Sequence, residues 1–356
     1  MTSFVKIEEN VEITRTSDGK KLINGYLIKE ILGRGSFSNV KLVEKDGKEY
    51  AMKKINKILL TKRKRGFSRG ANGKPQVNSL LENALSEIEI LKQLNHVNII
   101  KLHEIINDTD KGKIYLIIDH CSKGSLMSFN EDTQEFIVNK HISVSQYYSE
   151  NQIKNFIYQI VLGLEYLHSK GIVHRDIKPD NILIDTNNHC KITDFNVSIM
   201  LNKNNEYIGK QTEGTTSFMA PELCSDQVRN VKGKPLDIWA LGITAYILAY
   251  NDVPFKSANE ENMLELLDAI ERKDFVFRDD KREMSKEFKL FVKRCLEKDP
   301  NTRITIEEIK KLGWFNMKKQ VNRSVKKPVV IKQIEPVLRS NKRFVLPRKI
   351  INISLK

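Results

Sequence analysis

Residues 174–181 read His174-Arg175-Asp176-Ile177-Lys178-Pro179-Asp180-Asn181, and thirteen residues after Asn181 comes Asp194-Phe195-Asn196. These residue types are the ones phosphoryl transfer asks for. A carboxylate must orient the attacking hydroxyl and take its proton (Asp176), a cation must stand near the γ-phosphate (Lys178), and hard oxygens must ligate Mg²⁺ (Asn181, Asp194). A charged surface turn supplies some of these types, but not all four in this order after the elements found upstream.

The surroundings of this stretch define its fold. Residues 181–184 and 191–193 read as a small hairpin joined by the turn-prone Thr186-Asn187-Asn188. On either side the spacing predicts helices over 153–168, 235–250, 261–270, 286–295 and 306–311. Upstream the character changes. Residues 26–55 are β-branched and partly alternating, with turns at 33–38 and at Asp46-Gly47, which predicts an antiparallel meander. Short strands follow at 99–106 and 114–118. Between meander and strands, Val77, Leu81, Ala84, Ile88 and Leu91 recur at intervals of three and four, a helix with Glu87 at the border of its apolar face. The basic, Gly- and Asn-rich insert 56–76 reads as a mobile loop. The result is an α+β protein of two lobes, a small antiparallel sheet plus one helix and a larger, mostly helical lobe, with a ligand cleft at the hinge.

Two further features belong to that cleft. Gly33-Arg34-Gly35-Ser36-Phe37-Ser38-Asn39-Val40 lies between two strands, where glycines let backbone N–H groups approach a triphosphate. Glycine turns between strands are common, so the loop's weight comes from its company. Lys53 ends a strand and reaches the α- and β-phosphates if a carboxylate steadies its ammonium, and Glu87 is the candidate.

Bulk properties exclude several classes. The four cysteines (Cys121, Cys190, Cys224, Cys295) have neither CxxC pairing nor metal-ligand cadence, which argues against a disulfide framework or zinc site and for a reducing, cytoplasmic compartment with nuclear access open. Residues 238–250 are the longest uncharged apolar stretch, too short to span a membrane, and predict a buried helix. The first ten residues lack a secretory pattern, and Thr2 stands where myristoylation needs glycine. Of the formal charge of +15, residues 318–356 supply +11 through twelve Lys and Arg against Glu335, which leaves +4 for the body. That distribution, without interleaved stacking aromatics, argues against nucleic acid as a partner.

From residue 26 to about 316 the chain resembles the eukaryotic protein kinase domain, on the glycine loop, Lys53, Glu87, residues 174–181 and 194–196, and Ala220-Pro221-Glu222. The resemblance implies ATP and Mg²⁺ as cofactors and a protein substrate. It implies that Leu32, Gly33, Gly35, Ser38, Val40, Ala51, Lys53, Ile118, Asp119, Cys121 and Leu183 bind the nucleotide, with Val40, Ala51 and Leu183 around the adenine, Asp119 to Cys121 as the hinge and Ile118 as gatekeeper. It further implies a salt bridge from Arg303 to Glu222 and an anchoring role for Asp237. Lys178 together with Gly214-Thr215 resembles the serine/threonine class, so Thr215 joins Asp176, Lys178, Lys53 and Glu87 among the catalytic residues. The implied organisation is an N-terminal extension (1–25), a first lobe (26–118) holding the insert, a hinge and second lobe (119–318), and a basic tail (319–356).

Within that class, four segments resemble the calcium/calmodulin-dependent kinase kinases that activate AMP-activated protein kinase: the insert, residues 87–96, residues 214–222 and residues 233–240. This implies activation segments of other kinases as substrates. Three features depart from the pattern. Asp180 replaces serine, residues 128–148 are longer, and Asn196 replaces a glycine. Asparagine best tolerates left-handed geometry among residues with side chains and keeps the N–H, so activity is expected, with an ATP-binding pseudokinase scaffold as the alternative. Arg175 is placed to clamp a phosphate on Thr212, Thr215, Thr216 or Ser217. The insert is expected to act in substrate choice, with a solvated loop or a localisation signal as the alternative. The tail, with Val329-Val330-Ile331, Val337-Leu338, Phe344-Val345-Leu346 and Ile350-Ile351 among its basic residues, has the chemistry calmodulin accepts, although Pro328, Pro336 and Pro347 break long helices; autoinhibition without calmodulin and an inert or purely electrostatic tail are the alternatives.

Overall fold

The computed structural model describes residues 5–34, 38–62, 68–69, 75–76, 80–202, 206–209, 215–224, 229–257 and 262–315. Gly35, Thr212 and the tail 319–356 therefore lie outside the described residues, as does most of the insert.

The first lobe is one sheet of eight strands. Its strands are β1 (Lys6–Glu8), β2 (Ile13–Arg15), β3 (Lys21–Ile23), β4 (Tyr26–Arg34), β5 (Ser38–Lys45), β6 (Lys48–Asn56), β9 (Leu102–Asp108) and β10 (Lys113–Asp119), with β7 (Ser68–Arg69) and β8 (Pro75–Gln76) pairing separately. The spatial order is β1-β9-β10-β6-β5-β4-β3-β2. All neighbours are antiparallel except β1, which runs parallel to β9 with Lys6 opposite Glu104. The described part of the expected extension, residues 5–25, thus joins the sheet. Its strands are three residues each, too short for an alternating pattern to be read. Laid flat, eight strands would separate β1 from β2 by about 34 Å. Residues 9–12 joining them span at most about 18 Å, so the sheet curls strongly. Asn24 pins the closure, its side chain accepting from Glu12 N (2.9 Å) and donating to Asn10 O (3.0 Å).

Both faces of the central strands are buried. Along β10, Ile114, Leu116 and Ile118 face the main core, whereas Tyr115 and Ile117 join Tyr26, Val43, Met52 and Ile106 in a second cluster on the opposite face. This explains the unbroken apolar run at 114–118. The helix bearing Glu87 is α2 (Leu80–Leu91); Val77, the first residue of its predicted periodicity, lies outside the described residues. The insert departs from expectation: Lys57–Lys62 form a helix, α1, with Leu60 buried against α2. Ile58 and Leu60 supply the apolar positions that the polar surroundings hid.

The second lobe begins with a hairpin that was not expected, β11 (Met127–Asn130) and β12 (Glu135–Val138). Helix α3 (Glu150–Ser169) starts three residues before its predicted onset because Ser149 and Gln152 form a reciprocal capping box. Strand β13 (Ile172–Val173) leads into the catalytic stretch, with a 3-10 turn at Pro179–Asn181. The predicted hairpin is present as β14 (Ile182–Ile184) and β15 (Cys190–Ile192), and β16 (Ile199–Met200) returns to β13. Gly163 lets α3 approach this hairpin, since a Cβ there would lie 3.1 Å from Asn98 O and 2.8 Å from Ile192. Strands β17 (Glu206–Gly209) and β18 (Arg229–Lys232) pair, and α4 (Gly233–Tyr250) follows, buried on all sides from Leu236 to Tyr250 as expected. Helices α5 (Met263–Arg272), α6 (Lys286–Cys295) and α7 (Ile306–Ile309) complete the lobe. Among the described residues no helix is long and apolar enough to cross a membrane.

Candidate active site

The catalytic stretch is hung from one buried carboxylate. Asp237, in the first turns of α4 and fully buried, accepts hydrogen bonds from the backbone N–H of His174 at Oδ2 (3.0 Å) and of Arg175 at Oδ1 (2.8 Å), while His168 Nε2 lies 2.8 Å from the same Oδ2. Burial works against its ionisation, but the hydrogen bond from His168 and the neighbouring imidazoles hold its carboxyl below the usual range. The His174 ring locks the loop from the other side. Its Nε2 donates to Thr193 O (2.9 Å) and its Nδ1 accepts from Asp176 N (3.2 Å). Arg175 adopts a left-handed φ of 67°, the bend that turns Asp176 into the cleft. His168 escaped the sequence reading because nothing in its spacing marks it; only the fold brings it to Asp237.

Asp176 then sits among its predicted partners. Asn181 Nδ2 donates to Asp176 O and Oδ2 (both 2.8 Å), Lys178 Nζ lies 2.8 Å from Oδ2, and the Thr215 hydroxyl donates to Oδ1 (2.9 Å) while accepting from Lys178 Nζ (2.7 Å). Burial raises the Asp176 carboxyl, and Lys178 with the Thr215 hydroxyl more than reverses this, so it stays ionised. An ionised carboxylate with one oxygen toward Thr215 and the cleft is fit to receive a hydroxyl proton. Asn181 spends its amide nitrogen on Asp176, which leaves Oδ1 for a cation. The Asp194 carboxylate has no hydrogen-bond donor among the described residues. Two hard oxygens suit a divalent ion that keeps waters and phosphate oxygens as its other ligands. No group of three or more His, Cys, Asp or Glu among the described residues offers an alternative metal site.

Asn196 calls for a correction. The left-handed residue of the 194–196 motif is Asp194 (φ 66°), and Asn196 is not among the positive-φ residues. The strain expected of Asn196 falls on the metal-ligand candidate itself. Phe195 is buried edge-on to His174 (centroids 4.9 Å apart), which fixes Asp194 toward the cleft.

On the nucleotide side, Lys53 Nζ meets Glu87 Oε1 at 2.5 Å, and Glu87 is only 4% exposed. Burial lowers the Lys53 ammonium, but Glu87 and Asp194 outweigh it and hold the lysine charged. In the sheet Val40 lies opposite Lys53, and Ala51 lies between Leu42 and Ile118, so these predicted residues share one face. Leu32 stays exposed on β4. Leu183 is half-buried on β14, bridged to Ser125 just past the hinge. Asp119 does more than lend backbone: its carboxylate is held by His103 Nε2 (2.8 Å), Lys191 Nζ (2.9 Å) and Lys101 N (3.1 Å). Burial opposes the charge, yet the bonds from His103 and Lys191 bring its pKa to about 2. Burial pushes the Cys121 thiol up to about 12, so it remains protonated. Glu222 and Arg303 make the expected pair, bidentate at 2.8 Å for both bonds. The second departure, Asp180, is pushed up by burial and sits in the turn against which β11 packs.

Comparison with known proteins follows from this geometry. The protein kinase domain family matches residues 26–315. A probable serine/threonine-protein kinase of Dictyostelium discoideum is 35% identical over 84% of this chain and 39% of its own length. The serine/threonine-protein kinase ppk34 of Schizosaccharomyces pombe is 33% identical over 82% of this chain and 83% of its own. The calcium/calmodulin-dependent protein kinase kinase cmkC of Emericella nidulans is 32% identical over 82% of this chain and 58% of its own. The chain therefore spans about two fifths of the Dictyostelium protein and somewhat over half of the Emericella one.

Proposed function

This chain belongs to the protein kinase family, and we propose that it transfers the γ-phosphoryl group of ATP to serine or threonine hydroxyls of other proteins, activation segments of other kinases among them. The observation that carries the reading is the closed set of contacts joining Asp176, Lys178 and Thr215 beside the free oxygen of Asn181. Asp176 orients the acceptor hydroxyl and receives its proton. Lys178 and Lys53 offset charge on the phosphates, Lys53 steadied by Glu87, and the hinge with Val40, Ala51, Ile118 and Leu183 seats the adenine. Asn181 and Asp194 would hold the divalent cation, which we take to be Mg²⁺ and which neutralises charge on the β- and γ-oxygens when bound. Support for a serine/threonine acceptor comes from Lys178 and Thr215 and from the named activity of the relatives.

The kinase-kinase reading draws on the four segments set out above and on the printed name of the Emericella relative. It extends to calmodulin as a partner of the basic tail. Incubation of the purified chain with labelled ATP, Mg²⁺ and a generic basic protein tests the core claim. Label on phosphoserine or phosphothreonine is expected. Nucleotide binding without transfer would instead favour a scaffold. Ending the chain at Lys319, with and without calcium-calmodulin, tests the tail: an unchanged basal rate and calcium response would remove calmodulin from the picture.

A further inference from the structure

The β11–β12 hairpin has no task in the chemistry above, yet it is firmly built. Met127 and Val138 are buried at its base. There the Tyr148 hydroxyl donates to Leu126 O (2.5 Å), and the Asn139 side-chain amide donates to the carbonyls of Lys123 (2.6 Å) and Ser125 (2.5 Å). Farther out on the same face Phe129 lies opposite Phe136, their rings 5.0 Å apart, and Phe129 is 41% exposed. The hairpin also packs on the catalytic stretch, since β11 lies against the turn Pro179–Asn181, which holds Asp180 four residues from Asp176. Phe129, held open to solvent over the half-buried Phe136 and beside the catalytic stretch, is an aromatic face that a partner's side chain can cover.

Charge indicates what covers it. Within residues 127–138 there are three acids, Glu131, Asp132 and Glu135, and no Lys or Arg, in a chain whose net charge is +15. Their carboxylates are exposed and make no ion pair among the described residues. We propose that the hairpin selects substrates: a protein segment flanking the acceptor residue lays an aromatic or large aliphatic side chain over Phe129 and Phe136 and sets Lys or Arg against the acids at the tip. The inference rests on the phosphotransfer reading of the adjoining site. Rigid aromatic anchors with a charged rim favour one class of peptide over others through both burial and complementarity.

The test is peptide binding by fluorescence anisotropy with the full chain. One peptide carries a phenylalanine and two arginines beside an alanine that replaces the acceptor serine, made with the trio before or after the alanine. A control replaces the trio by glycine and serine. Two variants are compared with the parent. One combines Glu131→Gln, Asp132→Asn and Glu135→Gln. The other replaces residues 130–135 by Asn-Gly, a two-residue turn that fits because Phe129 and Phe136 are directly opposed. Affinity for the basic-aromatic peptide should fall about tenfold in the charge variant, with control binding unchanged. Binding within about twofold in parent and both variants, or equal binding of both peptides by the parent, would overturn the proposal. Turnover of the serine versions is measured alongside. Hairpin-dependent binding without turnover would sink the phosphotransfer reading alone, and turnover with hairpin-independent binding would sink the hairpin alone.

Discussion

The stretch that carries Asp176 and the pair that positions a nucleotide are secured by different means. Asp237 holds two consecutive backbone N–H groups and a histidine, and the His174 ring adds two more bonds, all within the second lobe. Lys53 and Glu87 meet through one contact between β6 and α2, elements that share no hydrogen-bonded ladder. The first arrangement is redundant and survives the loss of any one bond. The second is a single joint, which a small movement of α2 would open. Bond-making groups are thus preassembled, whereas the nucleotide clamp is adjustable, which is where regulation acts at least cost.

If this contrast is right, its largest test is Asp237→Ala. Removing the acceptor strands two buried N–H groups and His168, which should cost about 4 kcal/mol of stability in denaturant melts, together with most of the activity. A loss under about 1 kcal/mol would show that the redundancy does not run through Asp237. Next, Asp176→Asn should lower turnover at least about a hundredfold with nucleotide affinity retained, whereas Glu87→Gln should weaken nucleotide binding as well, both read by titration and single-turnover kinetics. Equal effects on affinity would erase the distinction between the two halves.

A smaller effect is expected at the hinge. The Asp119 carboxyl is lowered to about 2 in the fold, so its contribution is complete above its unfolded value near 4 and vanishes as pH falls toward 2. Asp119→Asn should therefore remove about 2 kcal/mol at pH 7 and flatten the acid limb of a stability-versus-pH curve. The same acid limb in parent and variant would rule this out. The smallest change is expected for Asn196→Gly, within a few-fold of parental activity, because the left-handed bend belongs to Asp194. A large gain in an activity assay would identify Asn196 as a brake on the nucleotide side.

The catalytic residues were legible because chemistry restricts their types and order. Asp176, Lys178, Asn181, Asp194, Lys53 and Glu87 converge without exception, as do Glu222 and Arg303. What escaped lacked a periodic or chemical signature. The three-residue strands at the N-terminus are below the length at which alternation declares itself, and α1 is six residues within a polar, basic segment. The β11–β12 hairpin is read from four residues on each side of a polar turn. The left-handed residue was placed two positions late because glycine at the end of the motif suggested where freedom was needed, while the buried Phe195 ring against His174 puts the bend before it. Asp119 was expected to matter through its backbone, and its partners His103 and Lys191 come from strands that only the fold makes neighbours.

The curled sheet has a practical outcome. Residues 1–25 provide β1 at one border and β2 with β3 at the other, so one short segment covers the open sides of both β9 and β4. A chain begun at residue 26, where the family match starts, would lose these together and expose the long strands β9 and β4 as edges in place of the three-residue β1 and β2. Such a fragment should associate edge to edge, visible as concentration-dependent light scattering absent from the longer chain. The leading residues thus act as a guard against self-assembly for the lobe that binds the nucleotide.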